Sequence, residues 1–188
     1  MSDQYVGRYA PTPSGWLHAG HLATFQTAQR RAMENRGRIY LRMEDIDLDR
    51  CQPQFEEGAR EDMQWMGLQW DSYPEEDSGI VYQSKRLDKY RSALARLCAG
   101  GWVYPCPMSR KQIREHPDTR YSPLGEVLFP VSARDQMDRQ SLIGDEYRIN
   151  WRFRIPEGRS LQWNDRCAGK QLFTAAKDFG EVRLTGLH

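Results

Sequence analysis

A strand, a helix and a second strand follow one another within residues 4–45, and this order restricts the possible fold more than any other feature. The runs QYVGRYA and RIYLRMEDID predict the two strands. Between them apolar residues recur at helical spacing, and Gly37 is expected to cap this helix at its C-terminus. The apolar positions are Leu22, Phe25, Ala28, Ala32 and Met33. Such a unit predicts two parallel strands joined by a right-handed crossover.

The alternation of strands and helices continues to about residue 104. Apolar periodicity predicts a helix over residues 54–66, ended by Gly67, and another from residue 84 to Cys98. A further strand is predicted over residues 102–104. This order is typical of the α/β class and of Rossmann-like, doubly wound folds that bind nucleotides. We therefore predict a nucleotide-binding half over residues 1–104.

The sequence changes in character past Pro105. Ser109 and Gln112 form a capping-box pattern for a short helix. Residues 147–155 alternate apolar and polar side chains, as a half-buried antiparallel strand does, and the run SLQWND suggests its hairpin partner. We predict an appended α+β module over residues 105–188 that contains this β-hairpin.

Hydropathy and charge narrow the classes of partner. No apolar run approaches the roughly 18 residues of a membrane helix, and the N-terminus lacks the pattern of a secretory signal. We therefore expect a cytoplasmic protein with no membrane partner. The net charge is only +1, but residues 147–188 carry eight Lys or Arg against four Asp or Glu. This excess could contact a phosphate backbone, and a solvated arginine face explains it about as well.

The stretch RYAPTPSGWLHAGH carries most of the chemical information. Pro11 and Pro13 stiffen the chain as it leaves the first strand, and Gly15 permits a close backbone approach. His18 and His21 stand three residues apart at the helix start, so both rings share one face. The N–H groups and dipole of a helix N-terminus favour phosphate, and two imidazoles can donate to developing negative charge. Structural histidines, or two metal ligands, are the alternatives.

These residues make the sequence similar to a known family. RYAPTPSGWLHAGH closely resembles the HIGH-motif region of class I glutamyl-tRNA synthetases. RMEDIDLDR at Arg42–Arg50, MGLQWD at Met66–Asp71 and YQSKRLDKY at Tyr82–Tyr90 continue the match in order and spacing. The resemblance is dense to about residue 106 and patchy afterwards, and it implies that residues 105–188 hold an insertion like the family's acceptor-stem module and the start of its second half. The short chain and the run YPCPMSR most resemble the glutamyl-queuosine tRNA(Asp) synthetase branch.

The resemblance implies specific roles. Arg8 would pair with the side-chain carboxylate of glutamate, Ala10 and Thr12 would line the same pocket, and Glu44 would receive the α-ammonium group. Without the resemblance, an ordinary ion pair would explain Arg8 and Glu44. The resemblance also implies an ATP site, with His18 and His21 catalytic, formed by Pro11, Pro13, Gly15, His18, Gly20 and His21. The substrates and cofactors implied are ATP, Mg²⁺, L-glutamate and a tRNA, with tRNA-Asp favoured.

The sequence departs from the family pattern at three places. The branch's zinc site uses a CxC pair, but here Met108 follows Cys106 and the next cysteine is Cys167, so we predict no zinc. The resemblance implies a second βαβ half and a KMSKS-like loop, but the sequence given ends near where that half should begin, and SRK at Ser109–Lys111 is misplaced for the loop. The ending VRLTGLH does not continue the pattern. We therefore expect a C-terminally truncated member.

Three functions stay open from the sequence. The first is ATP-dependent activation of glutamate to glutamyl-adenylate, with transfer to the queuosine of tRNA-Asp or to a tRNA 3′ end. The second is a catalytically incomplete, synthetase-derived module that binds ATP, glutamate or tRNA. The third is another nucleotidyltransferase with an HxGH motif, which would leave RMEDID and YQSKR unexplained.

Overall fold

A computed structural model describes residues 4–135, 150–156, 158–175 and 177–184. The chain divides into two compact units, Met1–Lys89 and Tyr90–His188, which we call the first and second units. The domain boundary expected near residue 104 stays a prediction. The strand at Val103–Cys106 pairs within the second unit.

The first unit is a three-stranded parallel sheet with helices, as the strand–helix–strand pattern predicts. The sheet order is β1-β2-β3, and Arg8 on β1 pairs with Tyr40 on β2. The strand β3 was not predicted, because it is only two residues long and lies in a turn-rich stretch. The elements up to residue 99 are β1 (Val6–Tyr9), α1 (Ala19–Glu34), β2 (Arg38–Met43), α2 (Pro53–Trp65), β3 (Val81–Tyr82), a 3₁₀ turn (Ser84–Arg86) and α3 (Leu87–Ala99).

Strand β2 builds the core of the first unit. Its residues alternate, so that Ile39, Leu41 and Met43 are buried while the residues between them are exposed or half-buried. This period of two is expected where one face of a strand packs against helices. Tyr9 from β1 and Phe25 from α1 pack on the same cluster, with ring centroids 5.4 Å apart. The sheet edge that precedes α1 is thereby fixed to the core.

The end of helix α1 differs from the prediction. The Ccap residue is Asn35, and the residue with left-handed backbone is Arg36, at φ 48°, so Gly37 does not occupy the left-handed position. Its amide still closes the helix end by donating to the backbone oxygen of Ala32 at 2.8 Å. Gly37 also meets a second need, because a Cβ atom there would lie 2.3 Å from the backbone oxygen of Tyr5. The glycine therefore allows the chain to pass closely beside the segment that leads into β1.

The second unit contains a three-stranded antiparallel sheet in the order β10-β7-β4. The strand predicted at residues 102–104 is β4, and it pairs antiparallel with β7 rather than extending the parallel sheet. The capping box of Ser109 and Gln112 is confirmed at α4. The elements are β4 (Val103–Cys106), α4 (Arg110–Glu115), β5 (Arg120–Tyr121), β6 (Val127–Leu128), α5 (Val131–Asp135), β7 (Asn150–Phe153), β8 (Ser160–Asp165), β9 (Gly169–Thr174) and β10 (Arg183–Leu184).

The predicted hairpin partner of the alternating strand is wrong. The run SLQWND forms β8 and pairs with β9, from Ser160 opposite Thr174 to Asp165 opposite Gly169. The alternating strand is β7, whose neighbours are β4 and β10, so both of its edges are already occupied. Tyr147, Arg148 and Ile149 of the predicted strand, and Glu157 of the predicted turn, lie outside the described residues.

A buried carboxylate joins several segments of the second unit. The side chain of Glu181 is only 6% exposed, and it accepts hydrogen bonds from the Tyr104 hydroxyl and, at 2.9 Å, from Nη1 of Arg134. Its backbone oxygen accepts from Nη1 of Arg152, also at 2.9 Å. Burial and the bond to Glu181 raise the pKa of Tyr104 well above its usual range. Glu181 thus ties β4, α5 and β7 to the segment before β10.

The helices also bear on the membrane prediction. Within the part of the chain that the structure describes, none of the helices has the length and apolar character needed to cross a membrane.

Candidate functional site

A cavity of about 570 Å³ opens where β1 ends and α1 begins. Its position, at the carboxyl end of a parallel strand, is where open α/β sheets bind ligands. The volume lies within the roughly 300–1,000 Å³ usual for small-molecule sites. The lining residues are Arg8, Ala10, Pro11, Thr12, Ser14, Gly15, Trp16, Leu17, His21, Thr24, Phe25 and Ala28.

The loop that forms one side of this cavity is held by its backbone. Pro11 and Pro13 are buried, and their carbonyl oxygens accept hydrogen bonds, each 2.9 Å long, from the amides of Glu44 and Gln52. Proline has no backbone N–H to donate, but its carbonyl oxygen can accept a hydrogen bond. Pro11 and Pro13 therefore hold the loop to the segment after β2 through their carbonyl oxygens alone. Trp16 packs edge-on against Phe55 of α2, with ring centroids 5.1 Å apart.

The imidazoles of both motif histidines accept hydrogen bonds from backbone amides at the start of helix α1. Nδ1 of His18 accepts from the amide of Gly20 at 3.1 Å, and Nδ1 of His21 accepts from the amide of His18 at 3.3 Å. The two rings stack with centroids 3.8 Å apart. A Cβ atom at Gly20 would lie 3.0 Å from Cε1 of His18, so glycine at this position leaves room for the imidazole.

This geometry fixes the donors that the pair can offer. A neutral imidazole that accepts at Nδ1 carries its proton at Nε2. Both histidines are exposed, and among the described residues neither Nε2 atom has a protein partner. Two Nε2–H donors therefore stand at a helix N-terminus, where the helix dipole adds positive potential. The pair can bind and stabilise negative charge on a phosphate.

Arg8 and Glu44 do not pair with each other. Glu44 forms an ion pair with Arg42, and it is not among the residues that line the cavity. Arg8 is exposed at the cavity, and within the described residues it has no ion pair or side-chain hydrogen bond. The ordinary Arg8–Glu44 ion pair considered from the sequence is therefore wrong. A guanidinium in this state is free to bind a carboxylate in a bidentate manner.

The cavity brings together most, but not all, of the predicted site residues. Arg8, Ala10, Pro11, Thr12, Gly15 and His21 line it. Three others lie beside it, because His18 stacks on His21, Gly20 donates to His18, and Pro13 anchors the loop. Their roles in binding stay predictions. Six further residues line the cavity and were not predicted as site residues from the sequence: Ser14, Trp16, Leu17, Thr24, Phe25 and Ala28.

Among the residues that the structure describes, Cys106 does not lie in a set of metal ligands. It is 1% exposed and belongs to an apolar cluster with Ile113 and Phe129, against which Met108 also packs. Its Sγ atom receives a hydrogen bond from Nε of Arg152 at 3.4 Å. A cation beside the sulfur and apolar neighbours around it do not fit a structural zinc site, which needs four ligands. No group of three or more His, Cys, Asp or Glu residues that could hold a metal ion occurs in the described ranges.

Sequence comparison decides the family. Residues 4–182 match the family described as tRNA synthetases class I (E and Q), catalytic domain. The chain belongs to this class I tRNA synthetase family. The family resemblance of the four motifs is thereby confirmed.

Several curated members of this synthetase family are similar over nearly the whole chain. A glutamyl-Q tRNA(Asp) synthetase of Symbiobacterium thermophilum is 37% identical over 96% of this chain, and the chain spans 58% of that relative. The enzyme of the same name from Chromobacterium violaceum is 35% identical over 96% of the chain, which spans 55% of it. Glutamate–tRNA ligase 2 of Gluconobacter oxydans is 32% identical over 84% of the chain, which spans 34% of it.

Solved synthetase structures share the fold. A glutamate tRNA ligase from Elizabethkingia meningosepticum, solved in complex with its amino acid, matches with a TM-score of 0.68 at 24% identity. The match covers 92% of this chain and 36% of that one. The predicted fold class, a Rossmann-like catalytic half of a class I synthetase with an added α+β module, is confirmed.

Proposed function

We propose that this synthetase-family chain activates glutamate with ATP and transfers it to a tRNA. The observation that carries the proposal is the pair of Nε2–H donors of His18 and His21 beside a cavity that also presents an unpaired Arg8. The histidines suit phosphate, and Arg8 suits a carboxylate. Those are the two anions that the activation of an acidic amino acid brings together.

The first proposed step forms glutamyl-adenylate. The α-carboxylate of glutamate attacks the α-phosphorus of ATP, and the bond to pyrophosphate breaks as the new bond forms. Nε2–H groups of His18 and His21 donate to phosphate oxygens on which charge increases, an effect worth about 10²–10³-fold for one such donor. Mg²⁺, bound to the ATP phosphates, would neutralise part of their charge. The backbone of Pro11, Pro13, Gly15 and Gly20 shapes the ATP site.

Glutamate is the amino acid that Arg8 favours. A planar guanidinium pairs with a planar carboxylate through two parallel hydrogen bonds, which suits the side chain of glutamate and not that of glutamine. Ala10 and Thr12 also line the cavity and would contact the substrate's methylene groups. Glu44 would receive the α-ammonium group, which requires its carboxylate to exchange Arg42 for the substrate.

The proposed acceptor is tRNA-Asp at its queuosine base, with a tRNA 3′ end as the other acceptor. The names of the relatives from Symbiobacterium thermophilum and Chromobacterium violaceum support the queuosine reaction. The excess of basic residues from 147 to 188 supports contact with a phosphate backbone. A protein that acts on tRNA in this way would work in the cytoplasm.

A specific observation favours a second candidate, a module that binds ATP, glutamate or tRNA without turnover. The cavity lining includes Arg8 and His21 but no lysine among the described residues. The triphosphate of ATP carries several negative charges, and among the described lining residues only Arg8 carries a permanent positive charge that would offset them. The two candidates share the same site and differ in turnover.

The exchange of labelled pyrophosphate into ATP, dependent on glutamate, separates the two candidates. We expect His18→Asn to lower the exchange rate about 10²-fold or more, because asparagine keeps a side-chain acceptor for the helix cap and loses the Nε2–H donor. His18→Ala loses both, so it should also destabilise helix α1 by about 1 kcal/mol. His116→Asn, a histidine of the second unit, is the matched control and should leave the rate unchanged.

The outcomes are distinct. Exchange in the wild-type chain that His18→Asn abolishes supports activation. ATP binding without exchange, measured by calorimetry, supports the binding module. A chain that neither binds ATP nor exchanges pyrophosphate contradicts both candidates.

A further inference from the structure

Helix α2 contains a glycine at an interior position, Gly58. Glycine stabilises a helix interior less than alanine does, so its presence there needs a local reason. The backbone gives none, because Gly58 is not among the residues with positive φ. The reason is space. Gly58 is buried, and a Cβ atom there would lie 2.4 Å from Cζ3 and 2.9 Å from Cε3 of Trp16. With alanine at this position, the indole ring would have to move.

Helix α2 holds the indole of Trp16 by two of its residues. Phe55 lies three residues before Gly58, so the two residues share one face of the helix. The Phe55 ring meets the indole edge-on, with ring centroids 5.1 Å apart and ring planes at 88°. This edge-to-face arrangement is one of the two that aromatic pairs favour. The position of the indole is thus fixed by the contact with Phe55 and by the space that Gly58 leaves.

This contact buries little of the tryptophan. Trp16 is 64% exposed, and buried apolar area is what makes an aromatic side chain stabilise a fold. A contact that buries so little, and that needs a glycine inside a helix, is best explained by the function of the residue that it positions. Trp16 lines the cavity of the first unit, together with its neighbours Gly15 and Leu17.

The place of Trp16 in the chain links it to the ATP part of the proposed site. It follows Gly15 and precedes His18 by two residues, and two residues span at most about 7 Å. A displaced indole would therefore change the cavity close to where ATP is proposed to bind. The imidazoles of His18 and His21 are held by their own hydrogen bonds to backbone amides. Their donors should keep their place, so the displacement should affect the binding of ATP and not the chemical step.

We propose that Gly58 is a positioning residue that acts through Trp16, and that the indole held in this way lines and shapes the ATP site. The inference rests on the proposed activation of glutamate, since that reaction supplies the substrate. It extends that function, because Gly58 lies outside the four sequence motifs and is not among the described residues that line the cavity. Helix α2 thereby contributes to the ATP site through a residue that does not touch the substrate.

A double-mutant cycle in the pyrophosphate-exchange assay tests the proposal. The KM and kcat for ATP are measured at saturating glutamate in the wild type, Gly58→Ala, Trp16→Leu and the double variant. Leucine lacks the ring that an alanine at position 58 would displace. Glu57→Ala is the matched control, because Glu57 is exposed on the same helix and the substitution introduces the same side chain one position away.

We expect Gly58→Ala to raise the KM for ATP about 5–100-fold and to leave kcat within about twofold of the wild type. Trp16→Leu should itself raise the KM, because it removes the indole from the site. Adding Gly58→Ala to Trp16→Leu should change the KM by no more than about twofold further, because the ring to be displaced is gone. Glu57→Ala should match the wild type in both constants.

Two measurements without substrate check the physical cause. The chain has six tryptophans, and after labelling with 5-fluorotryptophan the ¹⁹F NMR signal that is lost in Trp16→Leu belongs to Trp16. Gly58→Ala should shift that signal and leave the others in place. Gly58→Ala should also raise the midpoint of thermal unfolding by about 1–4 °C in the Trp16→Leu background and not in the wild-type background, because only the latter contains the clash.

The outcomes separate this proposal from the activation of glutamate. A rise in KM that Gly58→Ala causes equally in both backgrounds overturns the proposal, because the effect then does not act through Trp16. An unchanged KM, or an unchanged Trp16 signal, overturns it as well. A wild type that shows no exchange contradicts activation instead, and the dissociation constants for ATP, measured by calorimetry on the same variants, then decide this proposal. A wild type that binds no ATP contradicts both.

Discussion

Replacing Glu181 by alanine should strongly destabilise the second unit. The substitution removes the carboxylate that accepts from the buried Tyr104 hydroxyl and from Arg134. A buried donor left unsatisfied costs about 1–3 kcal/mol, and breaking a buried ion pair by removing one partner costs about 3–5 kcal/mol. The two contributions overlap because both involve the same carboxylate. We therefore expect the free energy of unfolding to fall by about 3–5 kcal/mol.

Urea denaturation and thermal melting measure this change in stability. At about 2–4 °C per kcal/mol for a protein of this size, the midpoint should fall by roughly 6–20 °C. Glu181→Gln keeps an acceptor for one of the two donors, so its free energy of unfolding should lie between those of the wild type and Glu181→Ala. Glu126→Ala, an exposed carboxylate of the same unit, is the control and should stay within about 0.5 kcal/mol.

A double-mutant cycle identifies the physical cause. Tyr104→Phe and Glu181→Ala should be coupled by about 1 kcal/mol or more, because each substitution removes the same hydrogen bond. A destabilisation below about 1 kcal/mol in Glu181→Ala, or additive effects in the cycle, would refute the reasoning that this carboxylate joins the segments of the second unit.

Two further predictions concern pH and metal. Burial raises the pKa of Tyr9 to about 12, so the folded state retains this proton to a higher pH than the unfolded state does. This difference contributes up to about 2–3 kcal/mol to the free energy of unfolding. The contribution is present below about pH 10 and is lost as the pH rises towards 12. Urea denaturation at several pH values across this range should show this loss of stability in the wild type and not in Tyr9→Phe. An equal dependence of the free energy of unfolding on pH in the two proteins would contradict the prediction. A zinc chelator should change the midpoint of thermal unfolding by no more than about 1 °C, because Cys106 lies among apolar neighbours and beside Arg152. A large fall in the midpoint that Zn²⁺ reverses would contradict the prediction that this region binds no zinc.

The regular parts of the fold could be predicted from local patterns. The helices α1 and α2 and the strand β2 are long enough for their periodicity to identify them. Strand pairing is decided by distant residues, and this is why β8 was assigned to the wrong partner. Its own alternation does not distinguish β7 from β9. The two-residue strand β3 has no periodicity that a sequence could reveal.

The candidate site was predictable where its residues are contiguous. Arg8, Thr12 and His21 belong to one short stretch that leaves a strand and enters a helix. Phe25 and Ala28 line the cavity and have the helical spacing of core residues. The sequence alone does not distinguish a side chain in the core from one that lines a cavity. The Nε2–H donors of the histidines, in turn, follow from hydrogen bonds that only the structure defines.

The identity of the amino acid that supports pyrophosphate exchange tests the central claim most directly. With saturating ATP, we predict exchange with glutamate and none above background with glutamine or aspartate. Arg8→Met should reduce the glutamate-dependent rate about 10–100-fold, because methionine cannot form the charge-assisted, bidentate pair with the substrate carboxylate. Arg30→Met, an exposed arginine of α1 paired with Glu34, should leave the rate unchanged. Exchange that is absent with glutamate, or equal in Arg8→Met and wild type, would contradict the assignment of this cavity.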